Sequence, residues 1–147
     1  MANESLQQRV ARLPCWRNEI SLAPLKGGLT NISFVATDGA KKFVVRCGED
    51  IPVHHVFRDR ECAASRAAHA AGLSPEIVHA EPGITVLRFI EGRTFEEKDL
   101  GANIARIVPL LKTCHREVGR HLAGPANAFW VFHVIRDYVR LVGADPK

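Results

Sequence analysis

The sequence predicts an α+β fold: a five-stranded antiparallel sheet with one packed helix, followed by helices only. Three observations carry this. β-branched and aromatic residues concentrate in short runs between about 19 and 90, separated by Gly-Gly, Asp-Gly and Pro-Gly turns. One alanine- and charge-rich stretch, 56–71, interrupts those runs with a helical pattern. From Asp99 onward the spacing of apolar residues is helical throughout.

The elements follow in order. Leu6, Val10 and Leu13 share a helical stripe over 4–13, and Pro14 ends it. Residues 19–26 read as a strand, with Pro24 marking an edge or a bend. Gly27-Gly28 breaks that run. Ile32–Thr37 is a strand by composition, and Asp38-Gly39 is the strongest hairpin signal in the chain. Lys41–Cys47 returns, ending at Gly48. The helix over 56–71 stops at Gly72. Residues 77–81 and 84–90 form two more strands around Pro82-Gly83. Helices are expected over about 100–121, kinked at Pro109, and over 127–142. Two units result: 1–92 with the sheet, and 93–147 with helices.

Composition bounds the function. At 147 residues, 46% hydrophobic and 24% charged, the chain supports one ordinary core. No apolar run reaches the ~20 residues that span a bilayer, so membrane insertion is not expected. Met1–Gln8 is polar and lacks the apolar stretch of a secretory signal, so a cytoplasmic protein is expected. Cys15, Cys47, Cys62 and Cys114 form no C-x-x-C pair and read as reduced thiols, Cys47 and Cys62 as core residues. The histidines lack metal-helix spacing: His115 and His121 lie on different faces of one helical stretch. A net charge of +4 permits an anionic ligand, but the basic residues are dispersed, and nucleic acid is not expected as a partner. Arg58-Asp59-Arg60 reads as a solvated face.

The residues with chemical potential come in a fixed order. Gly27-Gly28 lets backbone approach a ligand closely and leaves N–H groups free, and Thr30 and Asn31 add a hydroxyl and an amide. Arg46 ends an apolar strand and shares a face with Val44, opposite Phe43 and Val45. It is either a surface residue at a sheet edge or a fixed charge in a cleft. Glu61 lies on the helix that follows. If that helix crosses the sheet, Glu61 meets Arg46 in a bidentate pair; otherwise it pairs locally with Arg58 or Ser65. The ordered set of turn, strand cation and helix acid favours the Arg46 pairing and a phosphate cradle.

Leu25–Asn31, Phe43–Arg46 and Arg60-Glu61 together resemble the N-terminal lobe of choline/ethanolamine kinase-like phosphotransferases. That family belongs with the aminoglycoside phosphotransferases in the protein-kinase-like fold. Gly72–Val78 resembles the entry to the family's fourth strand, Arg88–Thr94 its hinge, and Leu110–His115 its L-x-x-L-H helix, with Cys114 where leucine is usual. The resemblance spans about residues 20–121. It implies an ATP phosphate loop at Gly27, Gly28, Thr30 and Asn31, with Arg46 on the α/β-phosphates and Glu61 as its partner. It implies a hinge from Leu87 through Phe89 and Ile90 to Glu91, offering backbone groups to adenine, with Val35, Val44 and Ile77 as apolar walls. His115 would brace the helical lobe.

The resemblance also implies what the chain lacks. The family's H-x-D-x-x-x-x-N loop and later D-x-[ED] motif are missing. Asp137 is the nearest imitation, but Val142 stands where asparagine is required; it reads as a helix-surface acid paired with Arg136 or Arg140. Asp145 is too near the end to help. No catalytic residue and no Mg²⁺ ligand is therefore expected here. The implied activity is transfer of the ATP γ-phosphate to an alcohol such as choline or ethanolamine, completed outside this truncated helical lobe. The alternatives are an aminoglycoside or sugar kinase of the same superfamily, or a non-catalytic nucleotide-binding or interaction module. Uncovered helix faces around Ile104, Val108, Leu111 and Leu122 would favour self-association or a partner chain supplying the rest.

Overall fold

A computed structural model describes residues 5–28, 30–126 and 128–143. The polar start at 1–4, Leu29 of the glycine turn, Asn127 at the expected start of the last helix, and Asp145 and Pro146 lie outside the described residues.

The chain opens with α1 (Leu6–Ala11), whose N-terminus is closed by a reciprocal cap. Ser5 Oγ accepts from the Gln8 N–H, and Gln8 Oε1 accepts from the Ser5 N–H. Three strands follow, β1 (Ile20–Leu25), β2 (Ile32–Asp38) and β3 (Lys41–Cys47). A 3₁₀ turn (Pro52–His54) then leads to α2 (Arg58–Ala70). Strands β4 (Ile77–Glu81) and β5 (Ile84–Arg88) complete the sheet, in the order β1-β2-β3-β5-β4 with every pair antiparallel. The five expected strands and the Asp38-Gly39 hairpin are all present, and Gly39 takes the positive φ of 60° that the turn requires.

Strand alternation separates two faces. Phe34 and Ala36 of β2, Phe43, Val45 and Cys47 of β3, and Ile84 and Val86 of β5 point into one core with Val10 and Leu13. Val10, Val45, Ile84 and Val86 are fully enclosed, each worth about 1.5–3 kcal/mol of apolar burial. The cover for this face is the N-terminal segment, with Val10 and Leu13 in the core. Trp16 packs edge-on to Phe43 at 5.4 Å and donates its indole N–H to the Val10 carbonyl at 2.7 Å. Arg9 fastens α1 to the far edge of the sheet through Glu81 at 2.9 Å.

Helix α2 lies against the later helical segment and β4, and its Glu61, Cys62 and Ser65 border the Arg46 side of the sheet. It begins two residues later than the spacing predicts. Phe57 at the cap position offers no side-chain acceptor, and Asp50 reaches over to accept the Arg58 N–H at 2.8 Å.

The helical region comprises α3 (Glu97–Thr113), a π-helical turn (Cys114–Val118), α4 (Gly119–His121) and α5 (Val131–Gly143). Asp99 caps the start of α3 and is gripped by both guanidinium nitrogens of Arg93 at 2.6 and 2.7 Å. The Arg93 pairing and the Glu96 N–H hold its carboxyl below the usual range. Helix α3 runs on through Pro109, and the departure from α geometry comes at Cys114–Val118 instead. His115 is exposed on that π turn. The apolar faces are open, with Ile104 62%, Val108 39%, Leu111 53% and Leu122 36% exposed, as the sequence implied.

Candidate functional site

The face of the sheet opposite the core carries the residues selected from the sequence. Register pairs Ser33 with Arg46 and Val35 with Val44, and then Arg46 with Thr85 and Val44 with Leu87. Arg46 therefore sits on the middle strand of a three-strand surface, beside Val44 as alternation requires.

The glycine turn closes one end of this surface. Gly27 has a φ of 113°, in the region that side chains rarely adopt. A Cβ at Gly28 would stand 2.6 Å from the Asn31 carbonyl oxygen, so the turn folds back on itself too tightly for any other residue. Among the described residues, the N–H groups of Gly27, Gly28 and Thr30 have no backbone acceptor.

Asn31, Arg46 and Glu61 all line one small cavity, with Gly48, Arg58 and Ser65. Its volume is ≈ 20 Å³, room for roughly one water. A phosphate chain would therefore lie across its mouth rather than within it. Arg46 and Ser65 also line a larger cleft of ≈ 370 Å³ on the other side. Its walls include Val44, Leu87, Phe89 and Ile90, so Arg46 and Ser65 border both cavities. The expected walls Val35 and Ile77 stand next to it as strand partners of Val44 and Leu87, not on its lining.

The expected Arg46–Glu61 ion pair is absent among the described residues. Glu61 Oε2 instead accepts from Arg58 Nη1 at 2.8 Å, one helical turn away. Arg58 stands one helical turn before Glu61 on α2 and takes its carboxylate, although Glu61 and Arg46 border the same cavity between α2 and the sheet. Arg46 has no hydrogen-bond or ion-pair partner among the described residues.

Sequence reasoning weighed Arg58 only as a local partner of Glu61 and missed its contacts with the glycine turn. Reading Arg58-Asp59-Arg60 as a solvated face fails for Arg58, whose side chain is only 13% exposed. Its Nη2 donates to the Thr30 carbonyl at 2.9 Å and its Nε to the Glu49 carbonyl at 2.9 Å. The guanidinium thus joins the glycine turn, the segment after β3 and Glu61.

The hinge residues are partly committed already. The Phe89 N–H donates to the Lys42 carbonyl at 3.2 Å, extending the β3–β5 pairing by one residue. A ligand edge can meet only the backbone beyond it, at Ile90 and Glu91. The Glu91 side chain is drawn aside by Lys42 at 2.9 Å, and Lys42 lies over the Phe89 ring at 5.4 Å. Ile90 is 66% exposed at the mouth of the cleft.

Asp137 lies on α5 within ion-pair distance of Arg140 at 3.7 Å, the helix-surface pairing expected of it, and also stands 3.1 Å from His133 and 3.9 Å from His55. Among the described residues, no group of three or more His, Cys, Asp or Glu side chains could hold a metal ion. No described helix is long and apolar enough to cross a membrane.

No protein-family model matches the chain, and no curated protein matches it. A solved structure of an ethanolamine kinase from Plasmodium vivax superposes with a TM-score of 0.63 at 18% identity, over 84% of this chain and 37% of that one. At this identity the likeness shows the fold alone. The chain has the α+β architecture of the kinase-like N-terminal region of that enzyme and spans little more than a third of its length.

Proposed function

We propose that this chain is the ATP-binding part of a small-molecule kinase that phosphorylates an alcohol such as choline or ethanolamine. One observation carries the reading. In a fold shared with an ethanolamine kinase, an Arg46 with no partner among the described residues borders both a small cavity beside Asn31 and an apolar cleft at Phe89–Ile90.

The residues fit a nucleoside triphosphate, which would supply the phosphoryl group. In this reading Val44 and Leu87 floor the base, and Ile90 and Glu91 present backbone groups to its edge. Arg46 meets the α/β-phosphates with its planar fork. The N–H groups of Gly27, Gly28 and Thr30 point toward the remaining oxygens. In this reading no described residue is assigned as a ligand to the Mg²⁺ that accompanies ATP or as the base that deprotonates the alcohol.

Isothermal titration calorimetry tests this. ATP should bind with one-to-one stoichiometry and inorganic phosphate should not; no purine-nucleotide binding at millimolar concentration would refute the reading. The chain as given should release no ADP above background with choline or ethanolamine.

A further inference from the structure

We infer that Arg58 is a positioning residue for the phosphate loop: it pins the glycine turn to α2 and draws Glu61 away, leaving Arg46 as the cation that meets phosphate. This rests on the nucleotide reading for its ligand, but not for its geometry.

Three bonds from one mostly buried guanidinium converge on this point. Nη2 reaches the Thr30 carbonyl at 2.9 Å, Nε the Glu49 carbonyl at 2.9 Å, and Nη1 the Glu61 carboxylate at 2.8 Å. The fork geometry matters, since a lysine ammonium lacks the fixed fork that reaches both carbonyls and the carboxylate. Space for it is reserved by Gly48. A Cβ there would stand 2.7 Å from Asn31 Oδ1, 2.9 Å from Arg58 Nη2 and 3.0 Å from the Thr30 carbonyl. Gly48 does not take a positive φ, so its missing side chain serves this contact rather than backbone freedom. The bond to Thr30 ties the carbonyl of the turn to α2.

Glu61 follows from the same arrangement. A carboxylate in a cavity beside Arg46 would compete with phosphate for that cation. Satisfied by Arg58, it does not.

Two variants separate this from a general structural role. Arg58→Gln removes the clamp and a charge; Gly48→Ala displaces the clamp by contact and leaves every charge in place. By hydrogen exchange on the free protein, amides of 26–32 should exchange about tenfold faster in both, as for a segment released from its tether, while β2 and β3 stay protected. By calorimetry, the ATP dissociation constant should rise about tenfold in both, the scale of one charge-assisted contact, while adenosine binding stays within about twofold. Unchanged exchange at 26–32 in both variants overturns the inference. So does an equal loss of ATP and adenosine affinity, or faster exchange throughout the sheet. If wild-type protein binds neither ligand, the nucleotide reading falls, and the exchange result still decides the clamp.

Discussion

Replacing Arg46 by alanine separates binding from stability. In most proteins, removing a half-buried arginine orphans the carboxylate that it neutralises. Here Glu61 belongs to Arg58 at 2.8 Å, and Arg46 has no hydrogen-bond or ion-pair partner among the described residues. Arg46→Ala should therefore leave folding stability within about 0.5 kcal/mol of wild type, the range of substitutions that break no partnered contact. Its effect on ATP is different. A charge-assisted hydrogen bond to phosphate contributes about 1.5–3 kcal/mol, so the dissociation constant should rise about 10- to 150-fold. Adenosine, which lacks the phosphates, should bind unchanged. Calorimetry measures both ligands and denaturant titration the stability. Unchanged ATP affinity would refute the assignment of Arg46 to phosphate. A stability loss beyond about 2 kcal/mol would show that its charge is structurally partnered after all.

Other outcomes can be checked directly. Asp38 accepts from the Arg17 and Asn18 N–H groups and from the Asn18 amide, and the first of these bonds most strongly holds its carboxyl below the usual range. Its contribution is then complete above the unfolded value of about 3.9 and is lost as pH falls through the depressed folded value. Asp38→Asn should lower stability at pH 7 in denaturant titrations, and the gap from wild type should close in strong acid. Burial pushes the Cys47 thiol up to about 11, whereas Cys114 is exposed. A thiol reagent should label Cys114 in the native protein and Cys47 only after unfolding. Ile135, Val139 and Val142 form an exposed stripe on α5 at 53, 66 and 75%. Val139→Glu with Val142→Glu should reduce binding of a hydrophobic dye and leave the unfolding midpoint nearly unchanged.

Much of the fold was legible because the relevant signals are local. Alternation through Phe43-Val44-Val45-Arg46 placed Arg46 opposite the core, and Asp38-Gly39 fixed the hairpin. The partner of Glu61 was less accessible. Two cations competed for it, and local spacing alone does not decide between them. Arg58 was harder still, because two of its three acceptors are backbone carbonyls at Thr30 and Glu49, and any residue supplies a carbonyl. Gly48 offered a trace of it, though at a strand end it reads first as a stop. The covering of the core by α1 was visible in the stripe of Val10 and Leu13, while the sheet face beneath it was not. The start of α2 was misplaced because its cap comes from Asp50, eight residues before Arg58.

The central claim is that one ligand spans both ends of the Arg46 cleft. Hydrogen exchange with and without ATP tests it in a single measurement. ATP should slow exchange at two separate segments together, the glycine turn at 26–32 and the hinge at 89–91. Protection confined to one segment, or appearing instead around His54 and Trp130, would contradict the account.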